Sequence, residues 1–217
     1  MYRRLFTGVI DQGKTGSFLT AMREARDHQD ERGIRARTTL WGSMTGQTNL
    51  VLIASDFNTL DELEKFTEMS SSDAAFAAVR RAVREQMVYH SAQVSIQRLS
   101  YHSDGLISSE DATAPRKFMR RLSGEVQPGR HREFVYSISQ ALEYQKQRGI
   151  AAVTSVWSAV TGHTSGITID GEFDTLAELE RFDELSQQDT EFARLRKGSR
   201  ESMVFATSQV QLLRNLL

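Results

Sequence analysis

The second half of this chain repeats the first half. When Arg4 is placed on Arg120, the two halves align without a gap as far as Arg98 on Arg214, and about 36 of the roughly 100 aligned pairs are identical. The most recognisable segment, 40–48, contains a Trp and a Thr-Gly turn and returns as segment 156–164. A repeat of this length predicts two small domains of one fold rather than one large domain.

The composition limits the classes of partner. The chain has 217 residues with 27 basic and 28 acidic side chains, and a formal net charge of -1 provides no field that would attract nucleic acid or an anionic membrane. No apolar run approaches the ~20 residues of a membrane-spanning helix, and no signal-like apolar segment follows Met1. We therefore expect a cytoplasmic protein with no nucleic-acid and no membrane partner. The absence of Cys excludes disulfides, thiolate nucleophiles and Cys-ligated metals.

Each repeat shows the order strand, helix, strand, strand, helix, strand. In the first repeat, branched and aromatic residues predict strands over about 2–10, 34–44, 48–57 and 87–98, and Thr45-Gly46 predicts a hairpin turn between the two middle strands. The second helical region opens with a capping box, Thr59 with Glu62, which the other copy repeats as Thr175 with Glu178.

Asp73 and Asp189 predict new helix N-caps, so the second helical region of each copy should divide into two pieces.

The boundaries predicted from the repeat are 1–100 for the first unit, 101–116 for a linker rich in Ser, Asp, Glu and Ala, and 117–217 for the second unit. Both helices of such a unit must lie on one side of its sheet. The pattern therefore predicts an α+β fold made of two tandem ferredoxin-like (βαββαβ) units.

The residues that alternate along the strands predict a helix-covered and a helix-free face for each sheet. On the helix-free face of the second strand only Trp41 and Trp157 are shared by the two copies, and Arg35 and Arg37 have apolar counterparts. Such a face is too apolar to leave in water, since burial of one large apolar side chain gains roughly 1.5 to 3 kcal/mol. We expect the two sheets to cover each other, packed sheet to sheet as an intramolecular dimeric α/β barrel.

One combination of motifs resembles a known family. The motifs are Trp41-x3-Thr45-Gly46-x2-Asn49 and Phe57-x-Thr59-Leu60-x-Glu62, preceded by Gly13-Lys14. They resemble the NIPSNAP-like branch of the dimeric α/β-barrel (ferredoxin-like) superfamily, and the resemblance covers both copies. It implies ferredoxin-like units that pair through their sheets, here as a tandem fusion of two units. The second copy departs from the pattern at Ser165.

Candidate ligand-binding residues are those that we place on the helix-free face or in the hairpin turn. They are Arg35, Arg37, Trp41, Tyr89, Gln93, Trp157, His163 and Gln209.

Each candidate has a structural alternative. Arg35 and Arg37 could clamp a carboxylate or a phosphate, or be solvated edge charges. The two Trp side chains could stack on a ligand or form core. The two Gln side chains could orient a ligand or bond to each other.

The histidines do not indicate a metal site. His28, His90, His102, His131 and His163 share no ligand spacing, so we expect no metal. His163 and His90 stay candidates for a single acid or base. The run Arg80, Arg81 and Arg84 and its counterpart at 194–200 predict a solvated helix face rather than a site for phosphate or RNA.

Three hypotheses for function remain open. The leading one is a binding or accessory protein that holds a small, partly apolar molecule between or beside its two sheets. The resemblance supplies an enzyme alternative, because related α/β-barrel families include haem-degrading and cofactor-independent monooxygenases, isomerases and decarboxylases; haem is a candidate cofactor only in that case. The third hypothesis is a structural interaction module without a ligand. The fused pair could also form a homo-oligomer.

Overall fold

The computed structural model describes residues 1–88, 90–105 and 115–217. The described residues form two compact units. The first contains those of 1–96 together with 215–217, and the second contains 97–105 with 115–214. Tyr89 and part of the predicted linker, 106–114, lie outside the described residues.

The first unit has the predicted element order. Its elements are β1 (Tyr2–Val9), α1 (Thr15–Glu31), β2 (Arg37–Ser43), β3 (Leu50–Phe57), α2 (Leu60–Ser72), α3 (Ala74–Arg84) and the start of β4 (Gln93–His102). The fourth strand was predicted over about 87–98 and this position is wrong, because Met87 makes only an isolated bridge to Ile10 and the strand runs from 93 to 102.

The second unit repeats this order, except that its second helical region consists of three helices, where the sequence predicted two. Its elements are the rest of β4, then β5 (Phe118–Val126), α4 (His131–Gln147), β6 (Val153–Ala159), β7 (Gly166–Phe173), α5 (Leu176–Gln188), α6 (Thr190–Leu195), α7 (Lys197–Ser202) and β8 (Met203–Asn215). None of the helices in the described parts of the chain combines the length and the hydropathy that crossing a membrane requires.

In the first unit, β3 pairs antiparallel with both β1 and β2. The register places Asp56 opposite Arg3 on one side and opposite Arg37 on the other. Residues directly opposite in a sheet share a face, so these three side chains belong to the helix-free face and Arg4 belongs to the helix-covered face. The register thus resolves the parity of the first strand, which the sequence leaves ambiguous.

In the second unit, β5 pairs antiparallel with β7 and β8, and β6 pairs with β7 and with the second half of β4. Arg121 lies opposite Asp170 in this sheet. By the same rule Arg120 lies on the helix-covered face.

The predicted helix starts are confirmed in both units. The Thr59 hydroxyl accepts from the Glu62 backbone N–H at 3.2 Å, and the Thr175 hydroxyl accepts from the Glu178 N–H at 3.2 Å. Asp73 caps α3 with bonds of 2.9 and 3.0 Å from two backbone N–H groups. These bonds satisfy donors that have no partner inside the helix.

The core of each unit lies between its helices and its sheet. In the first unit Leu40 packs against Phe18 and Met22 of α1, which confirms the predicted face of β2. In the second unit Val156 packs in the same way against Phe134 and its neighbours. The next residue along each of these strands, Trp41 or Trp157, therefore points to the helix-free face.

Candidate functional site

The two tryptophans are buried and have their polar atoms satisfied locally. Trp41 is 0% exposed and Trp157 is 1% exposed. The indole N–H of Trp41 donates to the Thr39 hydroxyl at 3.0 Å, and that of Trp157 donates to the Ser155 hydroxyl at 2.8 Å. Each Trp thus bonds to a residue two positions earlier on its own strand, which is typical of a core position.

The other predicted site residues that the structure describes are distributed over both units. Arg35 is exposed and precedes β2, whereas Arg37 is half-buried at the first position of β2. Gln93 begins β4 with an exposed side chain. In the second unit, His163 lies in the exposed turn before β7 and Gln209 is an exposed residue of β8.

The helix-free face of each unit holds a buried ion pair that sequence reasoning missed. In the first unit Arg3 Nε donates to Asp56 Oδ1 at 2.6 Å and Arg3 Nη2 donates to Oδ2 at 2.9 Å. In the second unit Arg121 binds Asp170 with two bonds of 2.7 Å. Both pairs have the two-bond geometry of a guanidinium on a carboxylate, so their charges are compensated within the protein.

A pocket lies between the sheet and the helices of the first unit, on the opposite face. Arg4 of β1 projects into it, with its guanidinium carbon 5.5 Å from the centre of the Phe66 ring. Arg80 of α3 enters from the other side and lies 5.9 Å from the Phe76 ring centre. Both distances lie within the range of cation–π attraction. The pocket therefore combines cationic groups with an aromatic wall.

The second unit has an equivalent pocket. Arg120 lies 5.3 Å from the Phe182 ring centre and Arg196 lies 5.3 Å from the Phe192 ring centre. These four residues are the repeat counterparts of the four in the first unit, and all four pairs are identical. The prediction of a solvated helix face is wrong for Arg80 and Arg196, because each of these side chains is half-buried and lines a pocket.

Burial and mutual repulsion perturb the arginines of both pockets. The pKa of Arg4 is lowered to about 10, first because burial disfavours the charged form and then because the guanidinium groups of Arg80 and Arg84 repel it. The pKa of Arg196 is lowered to about 10 by burial and then by Arg200 and Arg120. All of these groups remain cations at neutral pH, so each pocket is positive.

A polar side chain completes each lining. Gln145 is 3% exposed, and its Oε1 has no hydrogen-bond partner among the described residues. Its counterpart Gln29 has an Oε1 atom that lies 3.5 Å from the Thr38 hydroxyl, at the limit of a hydrogen bond. A buried acceptor without a donor is costly, so a ligand or a water that donates to Gln145 would be stabilised there.

Comparisons with known proteins identify the fold. No protein-family model matches the chain, and no curated protein does. A proposed monooxygenase of Fusobacterium nucleatum has a TM-score of 0.69 at 11% identity, covering 100% of this chain and 92% of its own. A proposed monooxygenase of Lactobacillus acidophilus has a TM-score of 0.68 at 8% identity, covering 99% and 93%. A haem-binding protein of Thermus thermophilus has a TM-score of 0.59 at 10% identity, covering 100% and 91%. At these identities the likeness shows the fold, and the predicted fold class, α+β of the dimeric α/β-barrel type, is confirmed.

Proposed function

We propose that this protein binds a small, partly apolar molecule, and that the binding site is the pocket between the sheet and the helices of a unit. The observation that carries the proposal is the presence of equivalent pockets in both units, each lined by two arginines and two phenylalanines at corresponding positions. In the first unit, Arg4 and Arg80 have no carboxylate partner among the described residues, and two such half-buried cations are costly to the fold, whereas a binding site explains them.

The size of the pockets limits the ligand. The cavity volume is about 70 Å³ in the first unit and about 50 Å³ in the second. Since one water needs about 10 to 15 Å³ of such space, these cavities admit roughly four to six water-sized groups. A ligand therefore places a compact group inside, and any larger apolar part lies toward the open mouth.

Haem does not fit these pockets. An axial ligand of haem is ordinarily an imidazole, thiolate, thioether or phenolate, and among the described residues that line the two pockets only Met22, a thioether, is of this kind. The cavity volumes are also far below the size of the macrocycle. Across the described ranges 1–88, 90–105 and 115–217 there is no group of three or more His, Asp or Glu side chains that could hold a metal ion. The proposal accordingly involves no haem.

We also propose that the chain is a tandem fusion of two units of the NIPSNAP-like branch. The units are 1–100 and 117–217, and a linker at 101–116 joins them. The identical pocket residues in the two copies support this proposal, because a fused pair would inherit one binding pocket in each copy.

Cavity-filling substitutions test the proposal. Ala25 and Ala141 are buried at equivalent positions in the two linings, so Ala25→Leu and Ala141→Leu would fill the pockets with side-chain atoms. Ala78→Leu on the exposed side of α3 is the matched control. We expect isothermal titration with small aromatic and aliphatic acids, amides and alcohols to find a ligand that the two filled variants lose and the control retains. Native mass spectrometry of the purified protein would identify any molecule that it carries. If no member of the panel binds the unmodified protein, or if the filled variants bind as well as the control, the pocket is not a binding site.

A further inference from the structure

Among the described residues, the lining of the first unit's pocket contains four arginines and no acidic side chain. Arg4 comes from β1, Arg26 from α1, and Arg80 and Arg84 from α3. The other lining residues are apolar or uncharged. Arginine keeps its charge at neutral pH in proteins, so the pocket is a concentrated positive site.

The protein supplies little compensation for these charges. The Nη1 group of Arg80 donates to the Ser70 carbonyl oxygen at 3.2 Å, which uses one of its five donors. Arg4 lies over the Phe66 and Phe6 rings at 5.5 and 6.0 Å. In the described parts of the chain no Asp or Glu side chain forms an ion pair with Arg4 or Arg80. A ring face offsets only part of the cost of desolvating a cation, so several N–H donors are left for a ligand.

We propose that the first unit's pocket recognises the oxyanion head of its ligand, a carboxylate or a phosphate, and that Arg4 and Arg80 hold this head while Phe66 and Phe76 contact the apolar body. This inference rests on the proposed function and names its ligand class. A planar guanidinium can bind an oxyanion with two parallel hydrogen bonds, so two guanidinium groups that line one pocket favour a charged oxyanion over its neutral isostere. A cavity of about 70 Å³ has room for roughly five water-sized groups, which is the size of such a head.

The second unit shows that this charge imbalance is not a general consequence of the fold. Its Arg120 lies 3.8 Å from Asp183, whose counterpart in the first unit is Thr67. Leu142 replaces Arg26 in the lining. The second pocket is thus less positive than the first, and the anion preference should be strongest in the first unit.

Titration with a matched pair of ligands tests the inference. Benzoate and benzamide have the same shape, but only benzoate carries a charge. We expect the unmodified protein to bind benzoate about tenfold or more tightly than benzamide, because the bonds of one charged head are lost in the amide. Inorganic phosphate distinguishes a free oxyanion from an oxyanion that is part of a larger ligand. Binding of phosphate alone would show that the oxyanion needs no attached apolar group. Amide NMR shifts should map the bound benzoate to residues that line the first pocket.

Two variants and a control locate the binding groups. Arg80→Gln and Arg26→Gln should each weaken benzoate binding several-fold to tenfold and leave benzamide binding nearly unchanged. Arg81→Gln, on the same helix but exposed and outside the lining, should change neither. Circular dichroism checks that each variant folds, and the exposed Arg26 position keeps the test open if Arg80→Gln does not fold.

The outcomes separate the two proposals. Equal affinity for benzoate and benzamide would overturn the oxyanion inference and leave the pocket as a binding site. Benzoate binding that survives Arg80→Gln and Arg26→Gln unchanged would overturn it as well. If benzoate, benzamide and phosphate all fail to bind while another ligand binds in the cavity-filling test, only this inference fails; if nothing binds in either test, the proposed function fails with it.

Discussion

Removal of Asp170 tests how much this carboxylate stabilises the buried guanidinium of Arg121 on the helix-free face of the second unit. The side chains of Arg121 and Asp170 are 3% and 0% exposed and share two hydrogen bonds of 2.7 Å. Asp170→Ala breaks both bonds and leaves a buried guanidinium without its carboxylate. At about 1.5 to 3 kcal/mol for each bond to a charged group, the loss is about 3 to 6 kcal/mol, in agreement with about 3 to 5 kcal/mol for breaking a buried pair.

The chain itself supplies the replacement for this pair. At the corresponding positions of the first unit, Leu5 lies opposite Ala54, and both side chains are buried. The double variant Arg121→Leu/Asp170→Ala copies that apolar pair into the second unit. It removes both charges together, so we expect it to be more stable than Asp170→Ala by about 2 kcal/mol or more, because neither charge is left uncompensated.

Urea unfolding at pH 7, followed by far-ultraviolet circular dichroism and by tryptophan fluorescence, measures these differences. Trp41 and Trp157 report on one unit each, so the loss should appear in the fluorescence of Trp157 in a Trp41→Phe background. Lys65→Ala removes an exposed ion pair and is the control, with no change of midpoint expected. An Asp170→Ala loss of less than about 1 kcal/mol, or a double variant no more stable than Asp170→Ala, would show that Asp170 does not stabilise the buried Arg121 charge.

The structure also predicts the direction of three further effects: the change of benzoate affinity with pH, the change of stability with pH, and the effect of Gly42→Ala on thermal stability. Benzoate affinity should fall as the pH rises through about 10, because burial, and then Arg80 and Arg84, lower the pKa of Arg4 to about 10, and above that pH Arg4 loses the proton that the anion requires. An affinity independent of pH between 8 and about 11 would exclude Arg4 from the site. Burial, and then the nearby Arg98, lower the pKa of His131 below its usual 6.5. The unfolded chain therefore takes up the proton first, and the free energy of unfolding should fall as the pH drops below about 6.5. In urea unfolding between pH 5 and about 8, His131→Gln should remove the part of this pH dependence that His131 causes. Gly42→Ala should destabilise the first unit by about 1 kcal/mol in thermal unfolding, because the new methyl would lie 2.9 Å from Leu216, and Leu216→Ala in the same chain should make the Gly42 change harmless.

The repeat and the local signals predicted most of the fold. The capping boxes at Thr59 and Thr175 need only residues three apart, and alternation placed Leu40 and Trp41 on opposite faces of β2. The start of β4 was misplaced because the apolar residues near Met87 resemble a strand, although Met87 alone forms a bridge among those that the structure describes. Local pattern cannot distinguish a strand from a turn that packs beside one.

The buried ion pairs could not be predicted, for a different reason. Arg3 and Arg121 occupy positions that are two residues apart in the repeat, so neither is aligned with the other. Their partners Asp56 and Asp170 are displaced by two residues in the same way. When the two copies are aligned, each Arg and each Asp of these pairs therefore stands opposite a different residue type. Only the register of the neighbouring strand reveals that each Arg faces an Asp.

Compensation distinguishes structural arginines from candidate binding arginines. Arg3 and Arg121 each have a carboxylate that the fold provides, and where a copy lacks one of these arginines the position holds Met119 or Leu5 instead. Arg4 is retained in both copies although the first unit gives it no carboxylate partner among the residues described. A half-buried cation kept without its counter-charge reduces stability, so it would be replaced by an apolar side chain if packing alone were required. The sequence did show this signal, as identical pairs at Arg4 and Arg80, but the orientation of the helix that carries Arg80 is a tertiary property. Removal of Arg4 or Arg80 should therefore weaken ligand binding more than it lowers the stability of the fold.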